Sequence, residues 1–371
     1  STGGSTDTPP DPTKGPVVEP TSEASTEAPP DGLMYQDDFE TDTERFLLAL
    51  NRKGFGEVSN AALLFMHPEH GLRSINEAEQ IACFEHAAAR TSNAIRNVIR
   101  NVRPGMSEFD ACRLMGLDGA MQSVHVNMSA GPRARFGLCS PSSRIIQRGD
   151  PIVMGFGLPG ALNCRAGFMA ETAADLPAGI RDYVERLVAP YFTAAAAWYG
   201  TVGIGVSGAD VHEAVMSRLA DPFFGVGLNP GHLIHLDEWV HSPIRKASRF
   251  RLRSGMALQC DIIPATGTAY FTTNIEDGIA RADEVLRADL AARRPDVWLL
   301  ITARRHFMIE VLGIALKPEV LPLGNMPGWL PPFWLGSQRA MAMRSAAVRA
   351  RRAGTSVVVS SADYAWVRGL S

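Results

Sequence analysis

A short sequence pattern occurs twice in this chain at an offset of one hundred residues. The four shared positions are Val102 and Val202, Gly105 and Gly205, Ser107 and Ser207, and Asp110 and Asp210. In each copy a glycine can turn the chain, and the Ser-x-x-Asp pattern can cap the next helix by bonding amides of its first turn. Four matches at one offset predict two duplicated halves, each with two helices followed by strands. Such halves would be related by a pseudo-twofold axis, with a central cleft between their half-sheets.

Hydrophobic periodicity indicates where the main helices and strands lie. Apolar residues at helical spacing, without Gly or Pro, predict a long helix over residues 76–102. A second long helix is predicted over residues 180–202, with a kink expected at Pro190. Strands are predicted at residues 151–157, 161–172, 256–264 and 268–274. The chain is therefore predicted to belong to the α+β class.

Composition divides the chain into four segments. Residues 1–32 contain mainly Ser, Thr, Pro, Gly, Asp and Glu and are predicted to be a disordered tail. Residues 33–72 are predicted to be an N-terminal arm or the remnant of another domain, and residues 73–336 the main domain. Residues 337–371 are predicted to form a C-terminal helix and tail.

Charge and cysteine content bear on partners and location. The net charge is −3, which gives no electrostatic reason to expect nucleic acid or an anionic membrane as the partner. Five scattered cysteines without a CxxC pattern indicate reduced thiols and a cytoplasmic location. We recognise no signal-peptide pattern and no apolar run of about twenty residues, so no membrane association is expected.

The segment NPGHLIHLDEWVHSP, residues 229–243, contains three histidines and two acids. It is compatible with a metal site, with a metal-free acid–base site, or with a polar strand end. His235, Asp237, Trp239 and His241 alternate along the chain as the side chains on one face of a strand do. Cross-strand hydrogen bonding is therefore an interpretation of equal weight for His235.

Four further segments resemble the creatinase / aminopeptidase P / methionine aminopeptidase family. In chain order they are QRGDPIVMGFG, NPGHLIHLD, RSGMALQCDIIP and NIEDGIA. The resemblance covers roughly residues 72–320 and implies the pita-bread fold, with two pseudo-symmetric helix-plus-strand halves around a central cleft. Relatives in the creatinase and aminopeptidase P branch commonly dimerise. Together with the aromatic segment PGWLPPFWL, this leads us to expect a homodimer.

The resemblance also implies positions for a metal site. Peptidases of the family hold two metal ions with two Asp, one His and two Glu. The two Asp positions fall at Gly155 and Ala166, the His at His232, and the two Glu at Asp261 and Glu276. Two positions thus lack a ligand, and the resemblance implies a dismantled dimetal site. The three remaining residues are predicted to hold no metal or a single divalent ion, with His232 within about 6 Å of an acid.

The leading functional prediction is an enzyme that cleaves a C–N or similar bond in a small amino-acid-like or peptide-like substrate. The predicted catalytic residues are His232, His241, Asp261 and Glu276, and the predicted substrate-binding residues are Arg165, His235 and Trp239. Strand alternation equally allows Arg165 to point away from the cleft. The alternative function is a non-catalytic pseudoenzyme that binds a peptide or protein partner. Retention of one His and two acids favours the enzyme, whereas loss of both Asp ligands favours the binding protein.

Overall fold

The computed structural model describes residues 49–50, 52–54, 61–236, 241–343, 357–359 and 364–368. Its α-helices are α1 (Ala62–Met66), α2 (Ala78–Asn101), α3 (Glu108–Arg113), α4 (Ala189–Thr201), α5 (Gly208–Met216), α6 (Glu284–Arg293) and α7 (Pro295–His306). Its strands are β1 (Val124–Ala130), β2 (Pro151–Leu158), β3 (Ala161–Phe168), β4 (His232–Leu233), β5 (Ala257–Asp261), β6 (Asn274–Arg281), β7 (Val320–Pro322), β8 (Arg339–Met343), β9 (Val357–Val359) and β10 (Tyr364–Arg368).

The main sheet is antiparallel and has a symmetric strand order. Its strands follow one another as β1-β2-β3-β6-β5-β4, with β7 also paired to β6. The first three strands belong to the first half of the chain and the other three to the second half. The pseudo-twofold axis predicted from the repeat therefore lies between β3 and β6, and the predicted α+β fold with two pseudo-symmetric halves is confirmed.

Both copies of the repeat build the same turn and the same helix cap. In each, the Ser side chain accepts a hydrogen bond from the backbone N–H of the Asp, and the Asp carboxylate accepts one from the Ser N–H. Gly105 and Gly205, with φ values of 97° and 80°, occupy the left-handed region that favours glycine. Their N–H groups donate to the carbonyls of Ile146 and Leu252 at 2.9 and 2.8 Å. The sequence repeat is therefore also a structural repeat.

The two long helices lie where the apolar periodicity places them. Helix α2 packs against β2 and β3, and α4 packs against β5. A single π turn, Val184–Val188, runs directly into α4, whose first turn contains Pro190. Because proline removes one helical hydrogen bond, the predicted irregularity takes the form of this wider turn.

Two predicted elements differ from the structure. Residues 268–274 form a turn rather than a strand, and β6 begins only at Asn274. Phe271 has a φ of 57°, and the hydroxyl of Thr272 donates to the carbonyl of Pro264 at 2.5 Å. Side-chain hydrogen bonds of this kind stabilise turns in competition with strand pairing. The described part of segment 337–371 consists of β8, β9 and β10 in one antiparallel sheet, because its Val-rich and aromatic runs favour strands over the predicted helix.

The predicted tail at residues 1–32 lies outside the described residues. Within the predicted arm, the described part includes α1 and the turn that follows it. Arg253 of the main domain donates to the carbonyls of Pro68 and Glu69 at 2.7 and 2.9 Å. This part of the arm therefore docks on the main domain.

The aromatic segment near residue 330 is buried within this chain. Trp329 is 5% exposed and Trp334 is 1% exposed. The segment also binds the main sheet, since the N–H of Phe168 donates to the carbonyl of Pro332 at 2.9 Å. The aromatics therefore have partners within the chain and are not an exposed dimer contact, so the homodimer stays a prediction from the resemblance. No helix in the described part of the chain has the length and apolar character needed to cross a membrane.

Candidate functional site

The strands on both sides of the pseudo-twofold axis align a row of residues across one face of the sheet. Asn127 pairs with Gly155, and Gly155 pairs with Cys164. Cys164 pairs in turn with Glu276, whose other neighbour is Asp261. Direct cross-strand partners project from the same face. The first four of these residues line a cavity of about 570 Å³.

His232 and the two acids form a compact buried cluster at one end of this row. The Nε2 atom of His232 lies 3.9 Å from Oδ2 of Asp261 and 3.8 Å from Oε1 of Glu276. All three residues are at most 6% exposed. Since Nδ1 of His232 donates to the carbonyl of Leu233 at 3.0 Å, Nε2 is the ring nitrogen that faces the acids. Both distances lie within the 6 Å range expected from the sequence.

A glycine allows the backbone to bring His232 this close to β5. Gly231 has a φ of 117°, and a Cβ atom at this position would lie 2.4 Å from the carbonyl oxygen of Gln259. The preceding turn is held by Trp198, whose Nε1 donates to the carbonyl of Pro230 at 2.6 Å. The Pro-Gly-His sequence thus fixes the position of His232.

The acid pair holds a proton near neutral pH. Burial, and then the negative charge of Glu276, raise the pKa of Asp261 to about 8, although His232 opposes the shift. At pH 7 the Asp261 carboxyl is therefore mostly protonated. A carboxylic acid and its neighbouring carboxylate form a pair that can give and accept one proton.

The first half of the site lacks carboxylates. The tight β2–β3 hairpin places Cys164 opposite Glu276 and pairs Ala166, the residue expected at the second Asp position, with Asn274. A Cβ atom on Gly155 would lie 2.6 Å from the Sγ of Cys164, so the sulfur takes up the space of an added side chain.

The family's pair of metal ions needs more ligands than this cluster offers. With Gly155 and Cys164 in the first half, Asp261 and Glu276 are the carboxylates that the described residues offer here, and two negative charges do not neutralise two divalent ions. These residues therefore do not fit a metal pair. His232, Asp261 and Glu276 each offer one ligand atom, and these atoms lie within 4.8 Å of one another. That arrangement suits a single ion with three protein ligands.

Arg165 points away from the cavity. It is completely buried, and its guanidinium donates to both carboxylate oxygens of Asp277 at 2.9 and 2.7 Å. It also donates to the carbonyls of Met326 and Trp329, both at 2.8 Å. Strand alternation puts Arg165 on the opposite face from the cavity residues. The predicted role of Arg165 in substrate binding is therefore wrong, and its role is structural.

His235 is also held outside the cavity. Its Nε2 accepts a hydrogen bond from the side-chain amide of Gln80 at 2.7 Å, and its ring packs edge-on against Phe84 at 5.3 Å. Both partners belong to α2. The substrate-binding role predicted for His235 is therefore corrected to packing between the loop after β4 and this helix. Trp239, the third predicted substrate-binding residue, lies outside the described residues.

His241 is buried in a separate aromatic cluster. Its ring centroid lies 5.9 Å from that of Phe250 and 6.4 Å from that of His67, and it does not line the cavity. Burial, followed by the charges of His67 and Arg245, lowers the pKa of His241 to about 3. The ring is therefore neutral at physiological pH, and the predicted catalytic role of His241 is corrected to a packing role.

Two cavity residues were missed by the sequence reasoning. Asn127 and Asn274 line the cavity and are 1% and 4% exposed. Both amide atoms of Asn127, and Oδ1 of Asn274, have no hydrogen-bond partner among the described residues. The available signal was a single amide residue inside the otherwise largely apolar run VHVNMSA.

Comparison with known proteins places these observations in context. Residues 82–286, more than half of the chain, match Metallopeptidase family M24. The dipeptidase PepE from Mycobacterium ulcerans is similar in fold, with 20% identity and a TM-score of 0.52 over 76% of this chain and 67% of that one. A prolidase from Thermococcus sibiricus has 18% identity and a TM-score of 0.52 over 65% of each chain.

A further structural match covers little more than half of each chain. The Xaa-Pro dipeptidase from Bacillus anthracis has 20% identity and a TM-score of 0.49, and the match covers 56% of this chain. This chain spans about 59% of the length of that dipeptidase. No curated protein sequence matches the chain significantly.

Proposed function

We propose that this chain, which belongs to metallopeptidase family M24, is an enzyme. It would cleave a C–N or similar bond without the usual metal pair. Its substrate would be a small amino-acid-like or peptide-like molecule, in keeping with the dipeptidase and prolidase names of its structural relatives. The observation that carries the proposal is the position of Glu276. Its carboxylate lines the cavity and is backed by Asp261 and His232 in a buried cluster.

The proposed reaction uses Glu276 as the base that touches water and substrate. Its carboxylate accepts a proton from water as the water oxygen bonds to the substrate carbonyl carbon. The same proton then passes to the leaving nitrogen as the C–N bond breaks, which gives an acid and an amine. Protonated Asp261 stabilises the negative charge of Glu276 before the first step and after the second, and Nε2 of His232 can accept a proton from either acid.

A single divalent ion is the alternative form of the same proposal. His232, Asp261 and Glu276 would hold it, and it would supply a Lewis acid for the substrate carbonyl. Binding would require Asp261 to lose its proton, so affinity for the ion would fall as pH falls. Elemental analysis of protein purified without an affinity-column metal distinguishes the two forms.

Turnover by wild type and variants tests the proposal. Dipeptides, dipeptide amides, N-alkyl amino acids and ureido amino acids would be incubated with the protein, and products would be followed by mass spectrometry. We expect products from at least one class with wild type, none with Glu276→Gln, and unchanged turnover with the exposed control Glu185→Gln. Equal turnover by wild type and Glu276→Gln, or two ions retained per chain, would contradict the proposal.

A second candidate function is peptide binding without catalysis, as in a pseudoenzyme. The lack of carboxylates at Gly155 and Cys164 favours it, as do the apolar walls contributed by Leu138 and Val153. Binding of a peptide without turnover of any class in the panel would support this function instead of the enzyme.

We also propose a cytoplasmic location. The five cysteines form no disulfide, as is usual for proteins in reducing compartments. Release of the protein by selective disruption of the outer cell layers, before lysis of the cytoplasm, would contradict this location.

A further inference from the structure

A β-bulge turns Asn127 into the cavity. Val124 pairs with Gly157 and Asn127 pairs with Gly155, so this part of β1 has one residue more than the facing part of β2. Bulges of this kind re-aim side chains and are common beside active sites. The Nδ2 atom of Asn127 lies 3.4 Å from the position that a Cβ of Gly155 would take. The amide therefore extends over the glycine, next to the row that leads to Glu276.

The side-chain amide of Asn127 has a donor and an acceptor to offer. The residue is 1% exposed, and neither Nδ2 nor Oδ1 bonds to any of the described residues. Buried polar atoms are normally hydrogen-bonded. The amide of a ligand would satisfy both atoms together, because its carbonyl accepts from Nδ2 and its N–H donates to Oδ1.

Asn274 offers a second acceptor at the other end of the cavity floor. It precedes Glu276 by two residues on β6, so both side chains project from the same face. Its Oδ1 is buried without a partner in the described part of the chain. An ammonium group or N–H of a ligand would bond to this oxygen, and the nearby carboxylate of Glu276 would favour a positive charge.

The charges of the cavity disfavour a free carboxylate. Among the described residues that line it, Glu276 and Arg135 alone are charged, and Arg135 is exposed. A ligand carboxylate against Asn127 would face the Oδ1 oxygen without a buried cation to compensate it. The apolar walls contributed by Leu138 and Val153 suit an aliphatic side chain.

We infer that the cavity selects amino-acid or dipeptide amides over the corresponding free acids, with Asn127 as the residue that recognises the carboxamide. The strands of Gly155 and Glu276 are two strand spacings apart, or about 10 Å, which admits a ligand of this size. The inference rests on the proposed function in that the cavity is taken as the substrate site.

Calorimetric titration with glycyl-L-leucinamide and glycyl-L-leucine tests the inference, because these probes differ in the terminal group alone. We expect wild type to bind the amide at least about tenfold more tightly than the acid, since the acid leaves buried polar atoms unpaired. Asn127→Leu should weaken amide binding by about tenfold or more and remove the preference. Asn101→Leu, an exposed position on α2, is the matched control and should change neither affinity.

Several outcomes would overturn the inference. They are equal or tighter binding of the acid by wild type, no binding of the amide at millimolar concentration, or unchanged amide binding by Asn127→Leu. The comparison of the two probes on wild type does not depend on how the variant folds. Amide binding that is weakened in Asn127→Leu, without turnover of any substrate, would contradict the proposed function alone. Turnover that is lost in Glu276→Gln but unchanged in Asn127→Leu would contradict this inference alone.

Discussion

Replacing Asp261 with asparagine is expected to make the protein more stable at alkaline pH. Burial and the neighbouring Glu276 raise the pKa of the Asp261 carboxyl from 3.8 to about 8 in the folded protein. In the unfolded chain the carboxyl returns to its ordinary value. Ionisation of Asp261 therefore opposes folding, and asparagine removes that ionisation while keeping a similar shape.

The sign and size of the effect follow from proton binding. Between pH 4 and pH 8 the folded protein binds more protons than the unfolded chain, so the free energy of unfolding falls as pH rises. The contribution of protonated Asp261 to the free energy of unfolding is fully present below about pH 4 and is lost as pH rises to about 8. Moving the pKa of Asp261 from 3.8 to about 8 corresponds to about 6 kcal/mol, at about 1.4 kcal/mol for each pKa step of one. This is an upper bound, since Glu276 shares the proton.

The assay is urea unfolding of wild type and Asp261→Asn at intervals between pH 5 and pH 8.5. The stability gained by the variant should increase steadily across this range. Asp277→Asn is the matched control, because Asp277 is equally buried in the next strand but is paired with Arg165. The free energy of unfolding of Asp277→Asn should be lower than that of wild type by about 3–5 kcal/mol at every pH, as expected when one partner of a buried ion pair is removed. A difference between wild type and Asp261→Asn that does not change with pH would refute the reasoning.

Three further predictions concern the site and the repeat. Gly155→Asp alone should lower the free energy of unfolding by about 1–3 kcal/mol, because its Cβ would meet the Sγ of Cys164. The double variant Gly155→Asp/Cys164→Asp should retain about two divalent ions per chain by elemental analysis, whereas wild type should retain fewer than one. His232→Ala should remove turnover in the product assay and His241→Ala should not, although the latter should lower the thermal midpoint; loss of turnover in both would contradict the assignment of His241 to packing. Ser207→Ala should lower the free energy of chemical unfolding by about 1 kcal/mol, because it removes the cap of α5. An unchanged unfolding midpoint would show that the cap does not contribute to stability.

Features with local causes could be predicted from the sequence. The two capping boxes depend on side chains three residues apart, and each forms as the pattern indicates. The long helix α2 likewise follows from apolar periodicity at helical spacing. Such features need no knowledge of distant parts of the chain.

Features that depend on pairing between distant strands could not be predicted. The direction of Arg165 is fixed by Asp277 on a strand of the other half, more than one hundred residues away. The length of one hairpin decided whether Cys164 or Ala166 would face Glu276. Spacing within a family pattern did not show which of these two residues pairs with Glu276.

The contact between β3 and β6 has a consequence for the order of folding. Cys164 and Glu276 pair across the axis although they lie 112 residues apart in the chain. Each half can join its own strands through shorter connections, whereas this contact closes a long loop at a higher cost in chain entropy. Contacts between distant residues also form slowly. Asn127 and Glu276, which belong to different halves, therefore come together only at this last closure. A chain cut between the halves would regain the cavity only when its two fragments reassociate, at a rate that depends on their concentrations.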